Sequence, residues 1–438
     1  MSGVFCLIMD EQIRNLYEHF LVFRKVTTDT RTDVRNSLFF ALSGNNFNGN
    51  EFAESALKKG AAFAVIDDVK FQINEKCFLV PDVLTALQQM AAFHRKKTGV
   101  HVFAITGSNG KTTTKELVSS VLQSEKEIIA TKGNLNNHIG VPLTLLSIKR
   151  ETEIAVVEMG ANHIGEIAAL CKIAQPDSGL ITNIGKAHLE GFGSFEGVVK
   201  AKSELYSHLR KTKGKIIVNA DDSLLMELSD GISRITYGNN IAEVQGKLLN
   251  THPHLAFEWK GKNKFQNCKT NLYGSYNYYN LMAAVAVGQL FDISPEKINR
   301  ALSEFVPNNN RSQQLKTGKN QIILDAYNAN PVSLSEAIKS FSAYNPEKPY
   351  LILGDMFELG KDSIEEHERV IRQVENTDFQ DVLFIGKDFY QLKNQAKFLF
   401  FETTENAGDY LENNPVENAN ILLKGSRGMH LETLIKYL

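Results

Sequence analysis

The residues best equipped for chemistry lie in one short run, Thr106-Gly107-Ser108-Asn109-Gly110-Lys111-Thr112-Thr113-Thr114. Its two glycines let the backbone curl tightly and approach a ligand. A curl that opens into a helix turns several N–H groups, and the positive end of the helix, toward an anion. Lys111 adds a mobile positive charge suited to the outer phosphates of a nucleotide, and the Thr112 hydroxyl is a natural ligand for Mg2+. Only two residues separate Gly107 from Gly110, so the spacing is not that of the common G-x-x-x-x-G-K-S/T pattern. Taken alone the run is a tight turn and a helix start; its flanks give it meaning.

Those flanks are a strand and a helix. Residues 100–106 read as a strand and residues 112–123 as a helix. Further strands are expected at 154–158, 179–183 and 215–219, a more broken strand-like pattern over 234–275, and a helix at 278–290. This alternation predicts an α/β domain with a mostly parallel sheet. Before it, strands at 39–42 and 61–66 and helices at 51–59 and 83–97 form a smaller α/β segment that ends at Thr98-Gly99. After it, Pro307-Asn308-Asn309-Asn310 reads as a linker. A third α/β segment follows, with strands at 322–325, 350–353, 382–385 and 421–423. The expectation is three domains: 1–98, 99–307 with the phosphate loop, and a Rossmann-like 308–438. A chain of 438 residues exceeds what one hydrophobic core usually supports.

The loop resembles the ATP loop of the Mur ligases and of their relative folylpolyglutamate synthetase. Other segments resemble that family in the same order along nearly the whole chain. They are Val157-Glu158-Met159-Gly160 with Gly165-Glu166-Ile167, the block Thr182-Asn183-Ile184-Gly185-Lys186-Ala187-His188-Leu189-Glu190, and Ala201-Lys202-Ser203-Glu204-Leu205-Tyr206. Three segments are similar to the branch that adds D-alanyl-D-alanine: Gly133-Asn134-Leu135-Asn136-Asn137-His138-Ile139-Gly140-Val141-Pro142, residues 187–194, and Asp325-Ala326-Tyr327-Asn328-Ala329-Asn330-Pro331. Residues 353–360 support the same branch.

The resemblance implies an ATP-dependent amide ligase of peptidoglycan precursor synthesis. It would join D-alanyl-D-alanine to UDP-N-acetylmuramoyl-tripeptide through an acyl phosphate, releasing ADP and phosphate. It implies that Thr106 to Thr113 cradle ATP, that Thr112, Glu158 and His188 hold Mg2+, and that Lys202 carries a CO2-derived carbamate serving the second ion. Lys111, Lys202, His188 and Glu158 are then the catalytic group. Asn277 and Asn280 stand in a segment that contacts the nucleotide, although either amide also suits a helix start. Tyr276 stands where the family commonly has His. Arg311 would reach the ATP phosphates, Asp325 the nucleotide, and Asn328, Asn330 and Arg427 the dipeptide side, with Asn136 and Asn137 also on substrate. Thr30 and Arg31 fall in the segment that handles the UDP end. Departures at Asn36 and at residues 47–52 leave the uridine contacts open.

Bulk properties narrow the class. With 43% hydrophobic residues, 22% charged residues and a net charge of −2, the chain has no electrostatic footprint for nucleic acid or an anionic membrane. The short run Arg95-Lys96-Lys97 suits a helix C-terminus. The cysteines at 6, 77, 171 and 268 have no C-x-x-C spacing, which fits a reducing compartment and a cytoplasmic enzyme; a monomer is expected. No apolar run approaches the roughly 20 residues that span a bilayer. The first residues lack a basic leader and a small-residue cleavage site, and Met9 is an alternative start. The competing functions are another Mur ligase, folylpolyglutamate synthetase, and a nucleotide-dependent switch that hydrolyses without ligation. Residues 325–331 argue against the first two, and the absence of a guanine-reading N-K-x-D against a GTP switch.

Overall fold

A computed structural model describes residues 2–187, 189–239, 241–261 and 264–438, without the side chains of residues 2–10. By internal contacts the chain divides into two bodies: Met1–Ile105 with Lys126–Ala161 and Gly165–Gly179, and Thr106–Glu125 with Asn162–Ile164 and Leu180–Leu438.

The first body opens with the helix Ser2–Phe23, which the sequence reading passed over. A four-stranded parallel sheet follows: β1 (Val26–Thr27), β2 (Leu38–Phe40), β3 (Phe63–Ile66) and β4 (Cys77–Leu79), in that order. Its core is apolar and small-residue rich, with Val34, Phe39, Ala41, Ala53, Ala56, Ala64 and Ile66 all buried. The helix expected at 51–59 is a 3-10 turn, Gly49–Phe52, running into the α-helix Ala53–Lys58. The helix Val83–Thr98 starts on Asp82, whose side chain accepts from Thr85 N, and stops at Gly99 in the left-handed region. Arg95 lies in its last turn but is no surface patch. It is buried, donates to the Ala174 and Gln175 carbonyls, and pairs with Asp177 at 2.6 Å.

Also in this body, β5 (His101–Thr106), β6 (Ile128–Ala130) and β7 (Ile154–Glu158) run parallel, with β7 between the other two. Every residue of β7 is buried, as expected for a parallel strand covered on both faces. The register pairs Ile105 with Glu158, so both strands end side by side.

After β8 (Ser178–Ile181), in the second body, β9 (Lys215–Asn219) pairs in parallel with β10 (Ser233–Gly238). β11 (Val244–Asn250) continues in parallel, while β12 (Ala256–Lys260) and β13 (Phe265–Lys269) turn antiparallel. This resolves the broken pattern over 234–275 into two parallel strands and an antiparallel extension, β12 and β13. The helix Tyr278–Leu290 is apolar nearly all round, with ten of its residues buried.

Beyond residue 310 lies a six-stranded sheet in the order β14 (Gln313–Lys316), β15 (Gln321–Asp325), β19 (Asn420–Lys424), β16 (Pro349–Gly354), β17 (Asp381–Ile385) and β18 (Leu399–Phe401). Only the edge strand β14 is antiparallel. Side chains alternate between its two faces. Leu351, Leu353 and Phe384 pack with Leu334, Ile338 and Phe341 of the helix Pro331–Tyr344 on one side. On the other, Ile352, Leu383 and Ile385 pack with Ala407, Leu411, Leu431 and Leu434. The register sets Asp325 beside Lys424 at the carboxyl ends of neighbouring strands. In open α/β sheets ligands bind outside those ends.

Candidate active site

The phosphate loop takes its shape from its glycines and from a clamp. Gly107 and Gly110 have φ of 143° and 78°, a region that side chains rarely enter. A Cβ at Gly107 would lie 2.0 Å from Thr182 Oγ1, and one at Gly110 2.5 Å from Asn280 Oδ1. Residues 182–185 hold the loop from outside. Thr182 Oγ1 donates to Asn109 O at 2.6 Å, and Asn183 Nδ2 donates to the same carbonyl at 3.0 Å. Asn183 also accepts from Asn109 N through its side chain and from Ser108 N through its carbonyl. Ser108 Oγ and Gly185 exchange two hydrogen bonds, at 2.9 and 3.0 Å. The sequence reading placed Thr182 and Asn183 in a resemblance block but gave them no role; here they set the loop geometry.

From this loop the helix Lys111–Gln123 begins at Gly110 without a side-chain cap, which suits its first turn to an anion. Lys111 Nζ donates to Gly107 O at 2.7 Å and Ser108 O at 3.0 Å. Thr112 is buried beneath the turn.

A cavity of about 550 Å³ opens over the loop, entirely within the second body. Of the residues expected to bind ATP, Ser108, Asn109, Gly110, Lys111, Thr112, Thr113, Asn277, Asn280, Arg311 and Asp325 line it and Thr106 and Gly107 do not; Asn328 and Asn330, expected on the dipeptide side, line it too. Residues far apart in sequence thus meet at one surface. Asn330 makes the direct link: its Nδ2 donates to Asn109 Oδ1 at 2.7 Å, while its Oδ1 caps the helix Pro331–Tyr344 by accepting from Ser333 N. Asp325 Oδ2 accepts from Lys424 Nζ at 2.6 Å, a buried ion pair on the cavity wall.

Asn277 and Asn280 line the cavity with amides already engaged. Asn277 Nδ2 donates to Tyr273 O, Asn280 Nδ2 donates to Asn277 Oδ1, and Thr114 Oγ1 donates to Asn280 Oδ1. Asn277 precedes the helix Tyr278–Leu290 without capping it through its side chain, and Asn280 lies within that helix. Tyr276 donates or accepts at Ser312 Oγ, 2.8 Å away, and burial pushes its phenol well above the ordinary range. Ser312 N donates weakly to Asp325 Oδ1 at 3.4 Å, so Tyr276, Ser312, Asp325 and Lys424 form one chain of contacts. Nothing in the residue types around Ser312 marked it beforehand.

Lys202 lies in the helix Phe195–Thr212 at 1% exposure, with Nζ 5.0 Å from the Phe192 ring centroid. Its neighbour Lys200 is exposed, as expected of a plain surface lysine. His188 lies outside the described residues.

In the first body Glu158 is 1% exposed and accepts from Asn136 Nδ2 at 2.8 Å. Asn136 therefore orients a carboxylate. Asn137 serves the backbone instead, accepting from Ile139 N and Gly140 N. Arg31 is exposed and locked on Asp29, with Nη2 2.8 Å from Oδ2. That guanidinium lowers the Asp29 carboxyl to about 2. Thr30 offers its carbonyl to Lys59 Nζ at 2.9 Å.

Comparison with known proteins matches this geometry to a family. Residues 105–288 match the Mur ligase middle domain, and residues 310–427 the Mur ligase, glutamate ligase domain. The chain is 38% identical to the UDP-N-acetylmuramoyl-tripeptide–D-alanyl-D-alanine ligase of Bacillus subtilis, over 95% of this chain and 93% of that protein. This chain belongs to the Mur ligase family. Among solved Mur ligases it is similar to MurF from Acinetobacter baumannii, with TM-score 0.86 and 31% identity over 94% of this chain and 93% of the other. It is also similar to the MurF ligase from Thermotoga maritima in complex with ADP, with TM-score 0.84 and 26% identity over 95% and 97%. The three-domain α/β fold expected from the sequence is that of these MurF structures. Within the Mur ligase frame, the matched middle domain carries the phosphate loop, and the matched glutamate ligase domain carries Arg311, Asp325, Asn330 and Arg427.

Proposed function

We infer that this Mur ligase uses ATP to join D-alanyl-D-alanine to UDP-N-acetylmuramoyl-tripeptide. The observation that carries the reading is similarity along nearly the whole chain to ligases of that name, together with a cavity that gathers the phosphate loop and residues 311–330. A carboxylate is a poor acyl donor because its leaving group is oxide. Transfer of the γ-phosphoryl group makes an acyl phosphate, whose leaving group is phosphate. The dipeptide amine then attacks the carbonyl, an amide bond forms, and phosphate departs with the C–O electrons.

This chain's residues serve the charge problem of the first step, in which two anions meet. The loop amides and Lys111 neutralise the phosphates. The Thr112 hydroxyl and the Glu158 carboxylate are hard oxygen donors that fit Mg2+, with His188 as a third ligand. Magnesium supplies positive charge at the transferring group. Lys202 fits a carbamate. The side chain is buried beside Phe192, and addition of CO2 to the neutral amine, with loss of one proton, would give an anion able to serve the second ion. Domain bounds of 1–98, 99–307 and 308–438, a cytoplasmic location and a monomeric state belong to the same reading. Among the described residues no helix is long and apolar enough to cross a membrane.

The test is phosphate release from ATP and Mg2+, with the UDP-linked tripeptide and the dipeptide supplied singly and together. Release that requires both, with pentapeptide formed in equal amount, is expected. Release that ignores both would instead indicate a nucleotide switch. Electron density at Lys202 in crystals of the intact protein grown with Mg2+ checks the carbamate, and an unmodified amine there would remove it.

A further inference from the structure

Tyr327 lies in the loop between β15 and the helix Pro331–Tyr344, and two arginines converge on it. The Arg311 guanidinium carbon stands 3.8 Å from the Tyr327 ring centroid. That of Arg427 stands 5.2 Å away, and its Nη1 reaches the Tyr327 hydroxyl at 3.5 Å. The arginines come from opposite ends of the C-terminal segment, 116 positions apart (427 − 311). Neither makes an ion pair among the described residues, and Arg311 Nε is buried there without a hydrogen-bond partner. Holding two like charges at one ring is unfavourable until anions arrive. An aromatic face contributes a modest attraction to a cation, more when desolvated, and restricts its rotamers. Arg311 lines the phosphate cavity and Arg427 lies exposed outside it, so the ring separates two places for negative charge.

We propose that Tyr327 is a positioning residue that holds Arg311 toward the nucleotide phosphates through its ring face and Arg427 toward the carboxylate of the incoming dipeptide through its hydroxyl. This rests on the ligase reading above. A planar guanidinium binds a carboxylate or phosphate through two parallel hydrogen bonds only when its plane is fixed. Stacking fixes that plane for Arg311. The hydroxyl fixes one edge of Arg427. One side chain thereby coordinates the two halves of the reaction, although it touches neither reacting atom.

The two roles separate by substitution. Tyr327→Phe keeps the ring and loses the hydroxyl; Tyr327→Leu loses both. Two quantities are measured: displacement of a fluorescent ATP analogue, which needs no ligation, and KM and kcat for the dipeptide. Tyr327→Phe is expected to bind nucleotide within about twofold of the parent and to raise the dipeptide KM about threefold, with kcat little changed. Tyr327→Leu is expected to weaken nucleotide binding by about 3- to 30-fold as well. In an Arg311→Ala background the Leu substitution should have no further effect on nucleotide. Leu and Phe variants that behave alike, or a Leu effect that persists without Arg311, would overturn the proposal. If thermal melting shows the Leu variant unfolded, Tyr327→Phe decides: parental values for both ligands overturn the proposal, and a selective dipeptide effect supports it. A parent chain that binds nucleotide but does not ligate counts against the ligase reading and leaves the nucleotide arm readable.

Discussion

Replacing Lys424 with Met should destabilise the C-terminal sheet far more than removing the whole ion pair that Lys424 makes. Lys424 Nζ and Asp325 Oδ2 lie 2.6 Å apart, with side chains 2% and 13% exposed. Met keeps the length and apolar stem of lysine and deletes only the charge. Asp325 would then be a nearly buried carboxylate left, among the described residues, with a long hydrogen bond from Ser312 N. Breaking a buried pair from one side costs about 3–5 kcal/mol, because the remaining charge has lost both water and partner. For a domain of this size that corresponds to a fall of roughly 10 °C or more in midpoint. The double variant Asp325→Asn/Lys424→Met removes both charges and retains an acceptor for Ser312 N, so it should sit within about 1–2 kcal/mol of the parent. Scanning calorimetry of the parent, both single variants and the double variant gives the cycle. A double variant as unstable as Lys424→Met would refute the reasoning, because the cost would then come from lost packing and not from an orphaned charge.

Three further predictions follow from particular contacts. Asn330→Ser should keep the helix cap and lose only the link to Asn109, whereas Asn330→Ala should lose both and unfold about 1 kcal/mol more easily; equal midpoints for the two would contradict the cap. His94 is neutral in the fold, accepting from Tyr17 and donating to Ile148 O, and burial holds its imidazole below the ordinary value. The unfolded chain therefore takes up the proton first. Stability is full above the ordinary histidine value and falls as pH drops below it, so denaturant melts at pH 7 and 5 should differ less in His94→Gln. Burial raises the Cys268 thiol to about 12, so iodoacetamide at pH 8 should leave the Cys268 peptide unlabelled in the native protein and label it after denaturation.

Much of this was legible before folding was considered. The phosphate loop announces itself through residue types that are each needed for a physical reason: glycines for positive φ, a lysine for charge, a threonine hydroxyl at the helix start. The strands are legible because buried parallel strands are continuous apolar runs; β7 and β9 fall where periodicity put them. The helix Ser2–Phe23 lies where the sequence reading marked no element. The helix at 51–59 was placed correctly but not its 3-10 entry, which depends on the Asn48 side chain accepting from Asn50 N.

What the chain order determined by itself is the set of local devices: loop, caps, strand runs and the blocks that resemble Mur ligases. What only the tertiary structure decided is which side chains satisfy one another. Asn277 and Asn280 have the right types for reading a base, and the fold also ties their amides to Tyr273, Thr114 and each other. Asn137, expected on substrate, also holds a helix start through its Oδ1, while Asn136 beside it orients Glu158. Asn330 meets Asn109 across 221 positions, and Asp325 meets Lys424 across 99. A polar group has several possible partners, and sequence spacing does not choose among them. Burial makes an unmet partner expensive, and the three-dimensional neighbours then determine which one is met.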